Sequence, residues 1–393
     1  MTSPIVLIVG TRPEGIKMLP LYFAFKRLQI PIVLCSTDQH SDLLQEVYDL
    51  FHVTPDYQLD IMKPNQDLFY ITEITLQKLK IFFNKVNPSL VLVQGDTTSS
   101  MTAALAAFYL TIPIGHIEAG LRTDDIKSPY PEEMNRRFIS MVADYHFAPT
   151  ALNVGNLLAE GITREKIFCT GNTVVDALRI IKDQILNKEI TINESIVNTV
   201  QQCKLENKKI VLLTVHRRES FNGGVVRILT AIKEFALQNP DIFIFYPFHP
   251  NPNVLEAIDK VGIAKIPSLF LSRPVQYKDL VYLLLNSDWV ATDSGGIQEE
   301  AVSLGKPVLV LRDKTERVEG LWTELATLVG TNHDAILKAM NQCMQQSYLH
   351  SKASSIYGSG YAADMIAKII HNKRYYGTVP ANLSNCCGAV PTL

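Results

Sequence analysis

The chain has 393 residues, of which 47% are hydrophobic and 19% charged, with a formal net charge of −2. That length suits two globular domains, and the lack of a basic excess argues against a nucleic-acid partner. No run approaches the ~20 apolar residues of a membrane span, and the first apolar segment lacks the basic start of a secretory signal, so a cytoplasmic protein with no membrane partner is expected.

A continuous apolar run over 5–9 reads as a buried parallel strand. Behind it stands Gly10-Thr11-Arg12-Pro13-Glu14-Gly15-Ile16-Lys17, with Pro13 suited to a helix's first turn and apolar residues continuing at Leu19, Leu21, Phe25 and Leu28. Arg12 and Lys17 thus fall in a strand-to-helix turn, where free N–H groups and the helix dipole favour an anion. Further strands are predicted at 32–35, 90–93, 112–117, 145–148 and 167–169, with amphipathic helices between them such as 68–86 and 98–109. Residues 187–208 turn polar, and a new series follows at 210–215, 242–246, 269–271, 289–291, 308–311 and 326–329. This alternation predicts an α/β protein of two doubly wound Rossmann-like domains facing a central cleft. The expected divisions are 1–186, a linker at 187–208, a second domain over 209–358, a helix at 359–373 crossing back to the first, and a flexible tail over 374–393. Cys35, Cys169, Cys203 and Cys343 are scattered, which points to no disulfide framework, and Cys386-Cys387 lies in that tail.

Polar residues collect where the predicted strands end. In Gln94-Gly95-Asp96-Thr97-Thr98, Asp96 either caps the next helix or does chemistry. In His116-Ile117-Glu118-Ala119-Gly120-Leu121-Arg122, the acid and the arginine are open to a local ion pair. Pro131-Glu132-Glu133-Met134-Asn135-Arg136-Arg137 begins a helix, with Glu132/Arg136 and Glu133/Arg137 at surface-pair spacing. That spacing makes Glu133 a surface residue and leaves Glu132, at the helix start, open. In Thr214-Val215-His216-Arg217-Arg218-Glu219, a histidine and two arginines suit phosphate oxygens. Thr292-Asp293-Ser294-Gly295-Gly296-Ile297-Gln298-Glu299-Glu300 opens a helix whose glycines let backbone donors approach a diphosphate, while Glu300 is placed for a ribose diol. Arg312, Lys314 and Arg317 follow the next strand. Gly358-Ser359-Gly360-Tyr361-Ala362-Ala363 imitates a dinucleotide fingerprint, but no apolar strand precedes it.

Taken in order, these motifs resemble the non-hydrolysing UDP-N-acetylglucosamine 2-epimerases, from Ile5 to about Lys373. The resemblance implies a fold like the B-type glycosyltransferases, usually as a homodimer. It implies reversible inversion at C2 of UDP-GlcNAc to UDP-ManNAc, with no cofactor and no metal, supplying precursors of bacterial surface polysaccharide. The family's route eliminates UDP to a glycal, protects it by domain closure, and re-adds UDP after protonation from the other face. Carried over by motif, Asp96, Glu118 and Glu132 are the acid/base candidates, and His216 assists at the diphosphate. Arg12, Lys17, Gln276, Ser294, Gly295, Gly296, Glu300 and Arg317 would hold UDP, together with His216. Bacterial members resemble one another in a second, activating UDP-GlcNAc, whose site falls on Gln39, His40, Gln66, Arg217 and His249 here. The chain departs from the family pattern at Gly15, where alanine is usual, and at Val215, where glycine is. Leu280 stands where an aromatic often meets uracil. The alternatives are a hydrolysing relative, an epimerase of a diacetamido sugar, a UDP-sugar glycosyltransferase and a nucleotide-sugar sensor.

Overall fold

The structure is a computed structural model that describes residues 3–39, 41–63, 66–123, 125–217, 220–221, 223–345 and 353–378. His40, Arg218, Glu219 and the Cys386-Cys387 tail lie outside the described residues.

The chain forms two compact units, one of residues 1–179 with 357–393 and the other of residues 180–356. Unit 1 runs β1 (Ile5–Val9), α1 (Arg12–Arg27), β2 (Ile32–Ser36), α2 (Ser41–Leu50), β3 (Tyr57–Gln58), α3 (Leu68–Val86), β4 (Leu90–Gln94) and α4 (Thr98–Tyr109). It continues with β5 (Ile114–Ile117), α5 (Glu132–Val142), β6 (Tyr145–Ala148), α6 (Ala151–Ala159), β7 (Ile167–Cys169) and α7 (Thr173–Leu186), and the division falls inside α7. Unit 2 takes α8 (Glu194–Leu205), β8 (Lys209–Thr214), α9 (Gly224–Gln238), β9 (Ile242–Pro247), α10 (Pro252–Val261), β10 (Leu269–Ser272) and α11 (Tyr277–Asn286). Then come β11 (Trp289–Thr292), α12 (Gly295–Ser303), β12 (Val308–Val310), α13 (Val318–Leu321), β13 (Ala326–Leu328) and α14 (His333–Gln345), before α15 (Ala362–Tyr376) completes unit 1.

Unit 1 holds a seven-stranded parallel sheet in the order β3-β2-β1-β4-β5-β6-β7, and unit 2 a six-stranded parallel sheet in the order β10-β9-β8-β11-β12-β13. Helices cover both faces of such sheets, so inner strands read as unbroken apolar runs. All five residues of β1 are buried, with Val6 and Ile8 in one core beside Val91 and Val93. Val211 and Leu213 occupy the matching place in unit 2, against Ile228, Phe235 and Trp289. Strand order reverses at β1/β4 and at β8/β11, where doubly wound sheets open a crevice beyond their strand ends.

Two expectations change in detail. The fifth strand begins at Ile114 rather than 112, because Thr111 turns through a left-handed φ of 55° and Pro113 has no N–H for a ladder. The segment 187–208, expected as a linker, contains α8. Asn193 caps it by accepting from Ser195 N at 3.0 Å, and Ile196, Val200 and Cys203 bury one helical face in unit 2.

Candidate active site

In unit 1 the turn after β1 is already filled by a carboxylate. Glu14 Oε2 accepts from the N–H groups of Gly10 and Thr11 at 2.7 and 2.8 Å, and Oε1 accepts from the hydroxyls of Thr97 and Ser100 at 2.6 and 2.7 Å. The anion expected on those donors is therefore the protein's own, a capping box that ties α1 to the turn before α4. Arg12 is part-exposed on the first turn of α1.

Lys17, one turn further along α1, is buried and its Nζ donates to Glu118 Oε2 at 2.6 Å. Glu118 follows β5 with a left-handed φ of 66°, a costly conformation for a residue with a side chain. Two amides help to hold it there: Gln94 Nε2 donates to Oε2, and Asn172 Nδ2 donates to Oε1 at 2.9 Å. A buried carboxylate with a cation and two donors is stabilised in its charged form and fixed in direction.

Asp96 does not cap α4; Thr97 does, accepting from Ser100 N at 3.1 Å. The Asp96 carboxylate instead meets Arg136, and its carbonyl accepts from Asn135 Nδ2 at 2.9 Å. Arg136 turns to Asp96 and Glu133 rather than to Glu132. Glu133 is no surface residue, being fully buried as the acceptor from Thr123 N at 3.1 Å and Arg137 Nε at 2.7 Å. Glu132, one turn before Arg136, keeps a buried Oε2 with no hydrogen-bond partner among the described residues. Nor do Glu118 and Arg122 pair, since Arg122 makes a two-point bond to Glu160, with both contacts at 2.7 Å.

In unit 2 the turns after β8 and β11 are pinned by Asp293, which is fully buried. Its Oδ2 accepts from His216 N at 2.6 Å and Arg217 N at 2.7 Å, and its Oδ1 lies 3.1 Å from His216 Nδ1. Burial opposes its charge, but the His216 ring and the two N–H groups outweigh burial and hold the carboxyl below its usual range. Beyond Asp293, α12 starts without a side-chain cap from Ser294, and a β-carbon on Gly296 would meet nothing within 4 Å. Gly295 has another use. A β-carbon there would lie 2.4 Å from Cζ of Arg317, so this glycine admits a guanidinium against the helix start. Arg317 Nε donates to Glu299 Oε1 at 3.0 Å and Nη1 pairs with Glu316, which also takes Arg312 at 2.8 Å. Arg317, read from the sequence as a UDP ligand, thus stands with Arg312 within a carboxylate network. Glu300 accepts from the Tyr277 hydroxyl at 2.6 Å, and Gln276 lines a cavity of about 440 Å³ that Asn193, Ser272 and Lys278 also border.

The effector candidates fall into two groups. In unit 1, Ser99 donates to the Gln39 side chain at 2.6 Å and Gln66 donates to the Gln39 carbonyl at 3.1 Å. In unit 2 the rings of His216 and His249 stack, their centroids 6.1 Å apart. Among the described residues no cluster of three or more His, Cys, Asp or Glu side chains is arranged to hold a metal ion.

Asn172 and Tyr277 were missed in the sequence. Asn172 had a visible signal, Gly171-Asn172-Thr173 directly after a predicted strand. Tyr277 had none, because its partner Glu300 is distant in sequence.

The family described as UDP-N-acetylglucosamine 2-epimerase matches residues 24–371. A UDP-N-acetylglucosamine 2-epimerase of Yersinia pestis is 44% identical over 374 residues, covering 94% of this chain and 98% of its own. The crystal structure of the Neisseria meningitidis UDP-GlcNAc 2-epimerase, bound to UDP-GlcNAc, superposes with a TM-score of 0.87 at 40% identity, covering 94% of this chain and all of its own. A Rickettsia africae glycosyltransferase, at 13% identity and a TM-score of 0.57 over 96% of this chain and 100% of its own, shares the fold alone.

Proposed function

The chain belongs to the UDP-N-acetylglucosamine 2-epimerase family and is an isomerase, and we propose that it interconverts UDP-GlcNAc and UDP-ManNAc by elimination and re-addition of UDP. The C2 proton of the sugar is not next to a carbonyl, so a free carbanion at C2 is too unstable to form. A carboxylate takes that proton as the C1–O bond to UDP breaks, and the electron pair becomes the C1=C2 double bond of a glycal. A carboxyl on the other side returns a proton to C2, and a diphosphate oxygen closes the bond to C1. No atom is gained or lost.

The observation that carries this reading is the held carboxylate of Glu118, with Lys17, Gln94 and Asn172 on its two oxygens. Asp96 and Glu132 supply the second and third carboxyls, joined through Arg136 and its helix. We assign the leaving diphosphate to Arg12, His216, Arg317 and the uncapped start of α12 at Ser294, Gly295 and Gly296, which stabilise developing negative charge. Glu300 and Gln276 are assigned to the ribose and base. Incubation with UDP-GlcNAc in D₂O tests the proposal. Deuterium at C2 of both UDP-sugars, followed by proton NMR, is expected; free ManNAc indicates a hydrolysing enzyme, and no exchange refutes epimerisation.

We propose further that the protein is a homodimer and that a second UDP-GlcNAc activates it. The stacking of His249 on His216 supports the second point, because it joins an effector candidate to a diphosphate ligand. A lag with UDP-ManNAc alone, removed by a trace of UDP-GlcNAc, is the expected behaviour.

A further inference from the structure

His116 stands in the motif that supplies Glu118, yet no step above uses it. It is fully buried in β5, two residues before Glu118. Its Nε2 lies 2.8 Å from the carbonyl oxygen of Gly95. A carbonyl only accepts, so Nε2 carries the proton and donates it, and Nδ1 has no partner among the described residues. Burial drives the ring's pKa down to about 3, with the neighbouring His146 and Arg122 acting the same way against the Gly95 bond and Glu118. The imidazole is therefore neutral wherever the enzyme works, a fixed donor and no proton shuttle.

What it fixes is a single glycine between two reacting groups. Gly95 has a φ of 67° and is the residue before Asp96. Its N–H donates to the carbonyl of Ile117 at 3.0 Å, and Ile117 is the residue before Glu118. Gly95 is thus tied by its N–H to Ile117 and by its C=O to His116. The two turns also touch, since a β-carbon at Gly95 would lie 3.7 Å from Glu118 Oε2.

We propose that His116 is a positioning residue, whose Nε2–H bond to Gly95 sets the separation of the Asp96 and Glu118 carboxyl groups. The inference rests on the epimerase reading. A histidine kept only for packing would be replaced without catalytic loss by an apolar residue of similar volume, since a neutral buried ring with one unmet nitrogen costs stability. A positioning residue would not.

The test compares His116→Leu, which removes the donor, with His116→Gln, whose amide nitrogen reaches the same place. Initial rates of C2 deuterium exchange and UDP binding by calorimetry are measured well below both melting temperatures. For His116→Leu, kcat is expected to fall about tenfold to a hundredfold, as for a small misplacement of reacting groups. KM and the UDP Kd should stay within about twofold, and His116→Gln should recover most of the rate. An unchanged kcat in His116→Leu overturns the proposal. So does a loss confined to KM and UDP affinity, or an equal loss of kcat in both variants. If His116→Leu does not fold, His116→Asn takes its place, because its amide stops at the position of Nδ1 and leaves the carbonyl unmet. A wild-type chain without exchange refutes the epimerase reading, whereas an active wild type with unaffected variants refutes this inference alone.

Discussion

Asp293 holds His216 at both its backbone and its ring, with Oδ2 accepting the main-chain N–H at 2.6 Å and Oδ1 lying 3.1 Å from Nδ1. The contact orients the imidazole, and the His216 side chain is 37% exposed, which leaves it open to a ligand. Asp293→Asn keeps the shape and removes the charge. The expected result is a kcat lower by about tenfold to a hundredfold, with a smaller change in KM, as when a ligand's supporting carboxylate is lost. Steady-state kinetics checks this, and an unchanged kcat would remove His216 from the diphosphate step.

Glu132 gives a prediction of opposite sign for stability and activity. Its Oε2 is buried without a hydrogen-bond partner among the described residues, which costs free energy in the resting protein. Glu132→Gln should leave the melting temperature unchanged or raise it, while C2 exchange falls by about a hundredfold or more. A variant that loses stability but keeps its exchange rate would make Glu132 structural.

Much of this site was legible because parallel strands end where function begins. Apolar runs located β1, β4 and β5 in unit 1 and β8 and β11 in unit 2, and within each unit polar residues just past those strands meet one another. What stayed hidden was pairing at long range. Lys17 and Glu118 are 101 residues apart, and no local spacing shows that they share a proton-donating contact. Glu133 misled for the same reason. Its i,i+4 partner Arg137 is real and part-exposed, but Glu133 itself is buried with Thr123 N and Arg136 also on its carboxylate, which helical spacing alone does not reveal. The polar surface of α8 likewise concealed a three-residue apolar stripe.

The acid side of the stability profile should be shaped by Asp176. This buried residue of α7 accepts from Ala362 N at 3.1 Å and Ala363 N at 2.8 Å, capping α15. Burial raises its pKa from 3.8 to about 6, against the pull of those two donors. Its folded pKa lies above the unfolded one, so the folded state holds the proton longer. Its contribution is largest below 3.8 and declines as pH rises through about 6, by about 3 kcal/mol for a shift of about two units. Asp293 has the reverse sign, its contribution being present above 3.8 and lost as pH falls through its lowered value. Urea melts from acid to neutral pH should show a shallower decline in Asp176→Asn than in wild type; parallel profiles would refute the assignment.

A homodimer needs a face to bury, and α3, α4 and α5 offer one. Phe69 and Ile81 on α3, Phe108 and Tyr109 on α4, and Met141 on α5 are all exposed, and these three helices pack side by side. Light scattering on the eluting protein should give twice the chain mass. Ile81→Arg with Phe108→Asp should give a folded monomer, and a dimer that survives both changes would place the interface elsewhere.

Gly295 separates two accounts of the start of α12. If the glycine serves only a ligand's close approach, Gly295→Ala would lower UDP affinity and leave Arg317 where it is. The space is instead taken by the guanidinium, 2.4 Å from where a β-carbon would sit, with Glu299 and Glu316 holding it from the other side. Alanine must therefore push a buried arginine off two carboxylates, leaving charges unpaired, which typically costs about 3–5 kcal/mol. Gly295→Ala should lower both the melting temperature and UDP affinity, whereas Gly296→Ala, with open space around it, should leave the melting temperature unchanged. Thermal melts of the two variants with and without UDP decide the matter. Equal stability of the pair would mean that Arg317 moves freely and that the carboxylate network does not anchor it.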